Sequence, residues 1–262
     1  MNVSRTKTAL VTGASGGIGK SIAEQFASHG HNVVIVARNL RQLQFLAQEW
    51  SVKYKVTVTP VTADLAIAGA AHLLADDIRK RKIRIDYLVN NAGYGLYGLS
   101  AETRLDDELA MMNINMVTLT ALTKLFLPDV LSSNGRIMNV ASTAAFQPGP
   151  YMAVYYATKS YVLSYSEALA SELAGTGVTV TAFCPGPTRS GFQDKAEMND
   201  SALVKGKRLP SAETIGIAGY RAMMAGKTVY IPGLMNRLMA FSVRFTPRCM
   251  TTTLVKKMSA PA

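Results

Sequence analysis

The sequence predicts a doubly wound α/β fold, in which helices cover both faces of a mainly parallel sheet. Short apolar runs rich in Val and Ile alternate with amphipathic stretches along most of the 262 residues, which is the pattern of βαβ units. The runs are apolar throughout, as expected for strands that are buried on both faces. A glycine-rich turn at residues 13–19 separates the first run from the first amphipathic stretch, as a short strand-to-helix connection requires.

Seven apolar runs and six amphipathic stretches define the predicted elements. The predicted strands cover residues 8–12, 32–37, 55–62, 86–90, 135–140, 178–183 and 228–231. The predicted helices cover residues 17–29, 40–51, 67–81, 101–127, 152–174 and 211–225. No linker-like or repetitive tract interrupts this alternation, so residues 1–262 are predicted to form a single domain, with 233–262 as its C-terminal helical extension.

The composition restricts the class of protein. The net charge of +11 favours an anionic ligand or surface, such as a phosphorylated cofactor, an acyl-CoA or a membrane. The basic residues are scattered and no aromatic-plus-basic motif accompanies them, so no nucleic-acid partner is predicted. No apolar run approaches the roughly 18 residues of a membrane span, and no signal-peptide pattern is found. The two cysteines are far apart, so neither a disulfide framework nor a metal site is expected, and a cytoplasmic location is predicted.

The turn at residues 13–19 has the sequence Gly-Ala-Ser-Gly-Gly-Ile-Gly. Glycine lets the chain turn sharply and lets a phosphate approach the backbone. The free N–H groups and the dipole of the following helix favour a pyrophosphate at its start. Because the turn lies between a first strand and a helix, it predicts a Rossmann-type dinucleotide site rather than an empty βα turn. The predicted contacts there are Gly13, Ser15, Gly17, Ile18 and Gly19.

The same residues match G-x-S-x-G, the nucleophile elbow of α/β-hydrolases, with Ser15 as nucleophile. That interpretation requires an acid and then a histidine further along the chain. The three histidines are His29, His31 and His72, and none lies in the last two-thirds of the sequence. The hydrolase alternative is therefore disfavoured.

The end of the second predicted strand bears on the choice of cofactor. In dinucleotide folds an acidic residue there binds ribose hydroxyls, whereas a basic residue suits a 2′-phosphate. Here the strand ends in Ala37-Arg38-Asn39, and the Arg38 guanidinium offers a planar fork for phosphate. A solvated surface arginine is the plainer alternative. We predict NADP(H) as the favoured cofactor, with NAD(H) as the alternative.

Tyr155 and Lys159 stand four residues apart in a predicted helix, and they therefore share a face of that helix. A free tyrosine has a pKa of about 10, and a nearby ammonium group would lower that pKa toward neutrality. Of the 11 tyrosines, Tyr155 alone is followed by a lysine four residues later. An isolated pair of this kind is more often a packing pair, but the glycine turn upstream favours a general acid–base pair.

These motifs together resemble those of the short-chain dehydrogenase/reductase family, over about residues 5–232. The family's motifs occur in order: Thr12-Gly13-xxx-Gly17-x-Gly19, Asn90-Asn91-Ala92-Gly93, Asn115, Ser142, Tyr155-xxx-Lys159 and Pro185-Gly186-Pro187-Thr188. The resemblance implies reversible hydride transfer between NADP(H) and a ketone or secondary alcohol, without a metal. A dinucleotide-sensing protein without turnover is the alternative, and the complete Asn-Ser-Tyr-Lys set disfavours it. A homodimer or homotetramer is also implied.

The resemblance implies a role for each matched residue. Tyr155 would exchange a proton with the substrate oxygen, Ser142 would hydrogen-bond that oxygen, and Lys159 would lower the Tyr155 pKa and bind the nicotinamide ribose. Asn115 would anchor a water of a proton relay. The remaining implied cofactor contacts are Asp64 and Leu65 near the adenine, Asn91, Ala92 and Gly93 along the cofactor, and Pro185, Gly186 and Thr188 at the nicotinamide end. Three alternatives stay open: Asn113 competes with Asn115, Thr143 competes with Ser142, and Asp64 could cap the following helix.

The extension departs from the usual family pattern. Leu234, Leu238, Phe241 and Phe245 fall on one helical face, with Arg237 and Arg244 elsewhere. This part resembles, more weakly, the branch near the DltE-like reductases and the 3-ketoacyl and 17β-hydroxysteroid reductases. We favour packing on its own or a partner subunit, with peripheral contact of 234–262 with an anionic membrane as the alternative.

The substrate, an apolar or lipid-like carbonyl compound, is expected to enter near residues 186–210. Residues placed to line an apolar pocket are Tyr94, Tyr97, Phe146, Met152 and Phe192. Lys205, Lys207 and Arg208 are interpreted as solvated loop charges, with binding of a phosphorylated acyl carrier as the alternative.

Overall fold

A parallel sheet forms the centre of the structure, a computed structural model that describes residues 6–192, 196, 206 and 208–260. The strands are β1 (Thr8–Thr12), β2 (Asn32–Ala37), β3 (Val58–Thr62), β4 (Tyr87–Asn90), β5 (Arg136–Val140), β6 (Thr179–Phe183) and β7 (Val229–Tyr230). They pair in the order β3-β2-β1-β4-β5-β6-β7, and each pair is parallel. The predicted doubly wound α/β fold is therefore confirmed.

Nine helices accompany the strands within the described residues. They are α1 (Gly17–Ser28), α2 (Leu40–Tyr54), α3 (Ala70–Lys80), α4 (Leu105–Met112), α5 (Leu119–Ser132), α6 (Ala153–Glu172), α7 (Ala212–Met224), α8 (Leu234–Ser242) and α9 (Arg248–Ser259). A π-helical turn, Asn113–Thr118, joins α4 to α5, and 3-10 turns cover Thr143–Phe146 and Val243–Phe245.

Helices bury both faces of the sheet. On one face, α1, α2 and α7 contribute Phe26, Trp50 and Met223, none of which has measurable exposure. On the other face, α3 and α5 contribute Ile78 and Phe126 to a second cluster. Burying a large apolar side chain stabilises the folded chain by about 1.5–3 kcal/mol. The burial of both sheet faces explains why the strands lack an apolar–polar alternation.

Local backbone conformation shifts two of the predicted boundaries. Lys55 adopts the left-handed conformation (φ 56°), and its amide donates to the Ser51 carbonyl. This ends α2 at Tyr54, so β3 begins at Val58 rather than at 55. Gly69 (φ 80°) precedes α3, so that helix begins at residue 70 rather than at 67. Lys55 is a left-handed residue at a helix C-terminus, where such residues are common, whereas the left-handed conformation before α3 is adopted by a glycine, which tolerates it.

The helix that follows β4 differs more from its prediction. It begins at Leu105 rather than at 101 and continues past Pro128 to Ser132. Taken together, α4, the π-helical turn and α5 form a continuous helix of 28 residues, Leu105–Ser132. Among the described residues, this is the one helix that is long and apolar enough, by length and composition alone, to cross a membrane. About 44% of its most apolar window is buried, and Leu122 and Phe126 pack in the core. A core helix of an α/β domain meets the same criterion.

The C-terminal extension folds back as two helices onto the segments that contain Tyr97, Met152 and Tyr155. Val255 of α9 is 3% exposed and packs in a cluster with Tyr155 and Met152. The Tyr97 hydroxyl donates to the Ser259 carbonyl at 2.6 Å. The favoured prediction was packing on its own or a partner subunit, and α9 packs on its own subunit. Phe245 lies beyond the end of α8, in the 3-10 turn.

Candidate active site

The carboxyl ends of β1 and β4 mark the point where the strand order reverses. From β1 the chain proceeds outward to β2 and β3, and it then returns to β4 on the other side of β1. In open α/β sheets, ligands bind in the crevice at such a point. A cavity of about 1300 Å³ opens there. Every cofactor contact predicted from the sequence, from Gly13 to Thr188, is among its lining residues.

The glycine turn is shaped by close backbone packing. Gly13 has a φ of 67°, and a Cβ there would lie 2.7 Å from Nδ2 of Asn91. A Cβ on Gly19 would collide with the Gly13 carbonyl oxygen and with the Asn91 amide. Asn91 fixes the contact by donating from Nδ2 to the Thr12 carbonyl at 2.9 Å. Glycine is thus required at these two positions by the fold itself.

The start of α1 presents free backbone donors to the cavity. No side chain caps this helix, whose N-cap residue is Gly16. Gly16 has no heavy atom within 4 Å of an added Cβ, so the space above the turn is open. Ser15, Gly17 and Ile18 line the cavity at this point. Uncapped amides and a helix dipole facing an open cavity form a site for an anion such as a pyrophosphate.

Arg38 and Asp64 lie at the carboxyl ends of β2 and β3. Arg38 is exposed and lines the cavity, while its neighbour Asn39 caps α2 by accepting from the Gln42 amide. Oδ1 of Asp64 accepts from the Ala66 amide at 3.0 Å. Asp64 therefore orders its own turn and does not cap α3, which was the alternative.

Tyr155 lies in the first turn of α6 and is 8% exposed. Burial raises the pKa of the Tyr155 phenol, while a side-chain hydrogen bond with Ser142 acts to lower that pKa. The Ser142 hydroxyl also accepts from the Ala144 amide at 3.1 Å. Thr143 lines the cavity too, but Ser142 is the one of the two that acts on the pKa of Tyr155.

Lys159 lies one turn further along α6 and is 6% exposed. Its Nζ donates to the Val140 carbonyl at 2.8 Å and lies 5.8 Å from the centroid of the Tyr155 ring. Burial lowers the pKa of Lys159 to about 8, because desolvation disfavours the charged form. The sequence predicted that Lys159 would lower the pKa of Tyr155; in this structure burial raises that pKa instead.

Asn115 lies in the π-helical turn and is 1% exposed. Its Nδ2 donates to the Tyr94 carbonyl and to Oγ1 of Thr158, each at 3.0 Å. Its Oδ1 packs against Gly93, where an added Cβ would lie 2.6 Å away. Asn115 is not itself among the cavity-lining residues; it lies behind Gly93. The competing Asn113 instead donates to the Ala66 carbonyl at 2.9 Å.

The extension forms part of the cavity wall, which the sequence did not predict. Lining residues from α8, α9 and the turn between them include Met235, Asn236, Met239, Val243, Thr251, Leu254, Val255 and Met258. Asn236 packs so closely on Gly186 that a Cβ there would lie 2.7 Å from its Nδ2. The i, i+4 pairs Met235/Met239 and Leu254/Met258 were visible signals, but the pattern does not indicate which surface such pairs face.

Most of the residues expected to line an apolar pocket do so. Tyr94, Phe146, Met152 and Phe192 line the cavity, and the Phe192 ring lies 5.5 Å from that of Tyr155. Tyr97 is not among the lining residues, because its ring packs on Tyr151 and its hydroxyl reaches α9. Arg208 lines the cavity, and Lys205 and Lys207 lie outside the described residues.

The residues present fit a nicotinamide dinucleotide. The uncapped start of α1 would hold the pyrophosphate, Arg38 an adenosine phosphate, and Lys159 with Gly186 and Thr188 the nicotinamide end. Among the described residues, no group of three or more His, Cys, Asp or Glu side chains is placed to hold a metal ion.

Known proteins share this sequence pattern. The short chain dehydrogenase family model matches residues 7–201. An uncharacterized oxidoreductase of Staphylococcus epidermidis is 32% identical over 213 residues, which cover 79% of this chain and 89% of that protein. The human very-long-chain 3-oxoacyl-CoA reductase is 34% identical over 183 residues, which cover 68% of this chain and 58% of the reductase.

Solved structures share the whole architecture. A short-chain dehydrogenase from Sphingobium yanoikuyae in complex with NADPH has a TM-score of 0.81 at 30% identity, covering 91% of this chain and 93% of that one. A bulky-bulky ketone specific alcohol dehydrogenase from Comamonas testosteroni has a TM-score of 0.78 at 28% identity, covering 92% and 93%. Fold and site together define an NAD(P)-dependent oxidoreductase. The chain belongs to the short-chain dehydrogenase/reductase family.

Proposed function

We propose that this enzyme transfers a hydride between NADP(H) and an apolar ketone or secondary alcohol, with Tyr155 as the general acid–base. The observation that carries the proposal is the pair formed by Tyr155 and neighbouring Ser142, which lies beside buried Lys159. This pair lines the same cavity as the glycine turn and the apolar side chains of the extension. A proton-transfer pair, an anion site and an apolar wall therefore meet in one cavity.

The proton chemistry follows from the protonation states. Because burial raises the pKa of Tyr155, the phenol is protonated near neutral pH and can donate its proton to a substrate oxygen. Ser142 would hydrogen-bond that oxygen and hold it against the Tyr155 hydroxyl. When bound, the dinucleotide supplies the hydride for reduction or accepts it in oxidation. In the oxidative direction Tyr155 must first lose its proton, so alcohol oxidation is expected to accelerate with rising pH more than carbonyl reduction does.

Lys159 and Asn115 have supporting roles in this proposal. The Lys159 ammonium, with a pKa of about 8, is charged near neutral pH and would bind the nicotinamide ribose hydroxyls. Asn115 would hold the Gly93 segment and anchor a water on the way to Lys159, since its Oδ1 and the Lys159 Nζ both lie near Gly93.

The preference for NADP(H) rests on Arg38 at the end of β2. An exposed guanidinium at this position can pair with a 2′-phosphate through two parallel hydrogen bonds. No acidic residue follows β2 before α2 begins, so there is no carboxylate to bind both ribose hydroxyls of NAD(H). Bound NADPH in the Sphingobium yanoikuyae structure is consistent with this choice.

The proposed substrate class follows from the apolar part of the cavity wall. Met152, Phe192, Met239 and Leu254 line it there, and these side chains favour an apolar, bulky carbonyl compound. Relatives described as a very-long-chain 3-oxoacyl-CoA reductase and a bulky-ketone alcohol dehydrogenase support the same class. Because α8 and α9 complete the cavity, we infer that residues 1–262 act as one catalytic domain. A homodimer or homotetramer and a cytoplasmic location stay predictions.

Titration of the purified protein with NADPH and NADH, followed by fluorescence and thermal shift, tests this proposal. NADPH is expected to bind more tightly and to support reduction of bulky apolar ketones. Tighter NADH binding would overturn the role of Arg38 and leave the chemistry intact. NADPH binding without turnover of any ketone, steroid or acyl substrate would favour a dinucleotide-sensing protein instead.

A further inference from the structure

The outer side of the extension exposes large apolar side chains. Leu234, Leu238, Phe241 and Phe245 have exposed fractions of 54% to 75%, and these four residues are called the apolar surface below. Leu234, Leu238 and Phe241 lie at i, i+4 and i+7 on one face of α8. The rings of Phe241 and Phe245 meet at 5.2 Å, which carries this face into the next turn. Clustered exposure of this kind marks an interaction surface rather than ordinary surface.

The charged residues of the extension itself all have the same sign. From residue 214 to the end the sequence contains no Asp or Glu. The extension carries five basic residues, all exposed: Arg237, Arg244, Arg248, Lys256 and Lys257. An apolar face flanked by basic residues is typical of segments that lie on anionic lipid. A second copy of this chain would cover the apolar residues but would bring five further cations to the same interface without a carboxylate of the extension to balance them.

The mouth of the active-site cavity lies next to this surface. Met235 and Met239 occupy the adjacent strip of α8, and Leu254 and Met258 occupy one face of α9. All four line the cavity and are also 37% to 68% exposed. They therefore form an apolar rim through which the cavity communicates with the outside. The rim and the apolar surface belong to the same two helices and the turn between them.

We propose that the extension docks the enzyme onto an anionic phospholipid bilayer, with the apolar surface at the boundary of headgroups and acyl chains. In this position the rim faces the lipid, and an apolar substrate passes from the bilayer into the cavity without crossing water. The docking stands independently of the catalytic assignment, whereas the entry route rests on the proposed function. The basic residues contribute long-range attraction, and the apolar surface supplies the part of binding that resists salt.

Vesicle co-sedimentation of the full chain tests the docking. The probes are vesicles of phosphatidylcholine alone and vesicles of phosphatidylcholine with phosphatidylglycerol at a 7:3 ratio. We expect binding to the anionic vesicles to exceed binding to the neutral ones by at least tenfold. Binding should weaken but persist between 0.1 M and 1 M salt, where the Debye length falls from about 10 Å to about 3 Å. Equal binding to both vesicle types, or no binding to either, would overturn the proposal.

A matched pair of variants identifies the surface. The double variant F241S/F245S should reduce the partition coefficient at least tenfold. Phe45→Ser should leave it unchanged, because Phe45 is 63% exposed on α2 and lies outside the extension. Neither variant alters a cavity-lining residue, so NADPH affinity and turnover of a water-soluble ketone should match those of the unmodified protein. Equal vesicle binding by all three proteins would contradict the assignment.

Two further readouts separate the competing outcomes. If light scattering shows a dimer that F241S/F245S converts to a monomer, while vesicles bind neither form, the surface is an interface between copies and the proposal is wrong. For the entry route, kcat/KM for a ketone dissolved in anionic vesicles should fall at least fivefold in F241S/F245S, with kcat/KM for a water-soluble ketone unchanged. Vesicle binding that is lost in F241S/F245S, without turnover of any ketone by the unmodified protein, would support the docking and contradict the proposed function.

Discussion

The glycine turn and the C-terminal extension line the same cavity but are built in opposite ways. In the turn, Gly13 and Gly19 lie in close contact with Asn91, and any added carbon collides with it. In the extension, buried side chains are few, among them Ala240, Thr251 and Val255, and large apolar residues face outward. The wall on the side of the glycine turn, called the cofactor wall below, is thus determined by backbone geometry. The wall formed by the extension, called the substrate wall, is determined by exchangeable side chains.

This difference indicates that the glycine turn serves the cofactor and the extension serves the substrate. A dinucleotide offers the same phosphates and ribose in every reaction, so its site is served by fixed backbone donors. Substrates differ between relatives that share the fold, and a wall of Met and Leu side chains changes its shape at low cost in stability. The predictions below test whether changes in the turn affect the cofactor and changes in the extension affect the substrate.

The largest effect is expected at Tyr155, where the two walls meet. Tyr155→Phe should lower kcat about 10²- to 10⁴-fold, because the proton donor is removed while the ring is kept. NADPH affinity, measured by fluorescence titration, should change little. Tyr156→Phe is the matched control, since Tyr156 is adjacent and comparably buried, and it should keep turnover within a few-fold. Full activity in soluble Tyr155→Phe would refute the mechanism.

Arg38 tests the cofactor wall by its charge. Arg38→Asp should weaken NADPH binding roughly 10- to 100-fold, as expected for loss of a charge-assisted hydrogen bond of about 1.5–3 kcal/mol. NADH binding should be unchanged or tighter, because an aspartate at this position can accept from the ribose hydroxyls. Arg41→Asp controls for net charge, because Arg41 is exposed at the start of α2, three residues after Arg38, but does not line the cavity. An unchanged ratio of NADPH to NADH affinity in Arg38→Asp would show that this side chain is only a surface arginine.

Gly19 tests the cofactor wall by its backbone. Gly19→Ala should destabilise the protein by about 1–3 kcal/mol, the usual range for overpacking, and should weaken NADPH binding by at least tenfold. In Gly16→Ala the added methyl group meets open space and the backbone is already extended, with φ near −170°. Thermal melts of the cofactor-free proteins should therefore separate the two variants, and equal midpoints would contradict the close packing described for the turn.

Met239 tests the substrate wall. Met239→Ala should lower kcat/KM for a bulky apolar ketone by about five- to tenfold, which corresponds to the lower end of the 1–3 kcal/mol range for small changes in an apolar pocket. NADPH affinity should stay the same. Met250→Ala removes an exposed methionine outside the main cavity and should leave both quantities unchanged in the absence of lipid. A loss of NADPH affinity in Met239→Ala would end the separation of the two walls.

The smallest effect concerns Lys159 and pH. The pKa of Lys159 is about 8 in the folded, cofactor-free protein, against an ordinary value of 10.5. Between these values the unfolded chain binds more protons, so this residue makes stability rise with pH by at most roughly 1.4 kcal/mol per unit. Relative to Lys159→Met, the melting temperature of the unmodified protein should therefore increase by a few degrees from pH 8 to pH 10. Parallel curves for the two proteins would show that Lys159 is not desolvated as described.

The cofactor wall could be predicted from the sequence because its signals are local. A glycine that must adopt a φ of 67°, or a chain that turns from strand to helix, restricts the residue type directly. The spacing of Ser142, Tyr155 and Lys159 along the sequence also predicted that these residues would share one site. The burial of these side chains could not be predicted from local spacing. The burial that raises the pKa of Tyr155 and lowers that of Lys159 arises from elements far away in the chain, including α9.

The role of the extension could not be predicted for a related reason. An amphipathic period shows that one face of a helix is apolar, but it carries no information on what that face contacts. In α8 two adjacent strips are apolar, and only the folded chain shows that Met235 and Met239 line the cavity while Leu238 and Phe241 face outward.

The direction in which Asn115 points depends on the number of residues in the π-helical turn at Asn113–Thr118. A π turn holds one residue more than the surrounding α-helix, and each helical residue rotates the chain by about 100°. Deleting a single residue there would restore regular winding and swing Asn115 away from Gly93, whatever residue types remained. A sequence alignment that placed a one-residue gap in this turn would therefore misplace the asparagine even where every neighbouring residue matched.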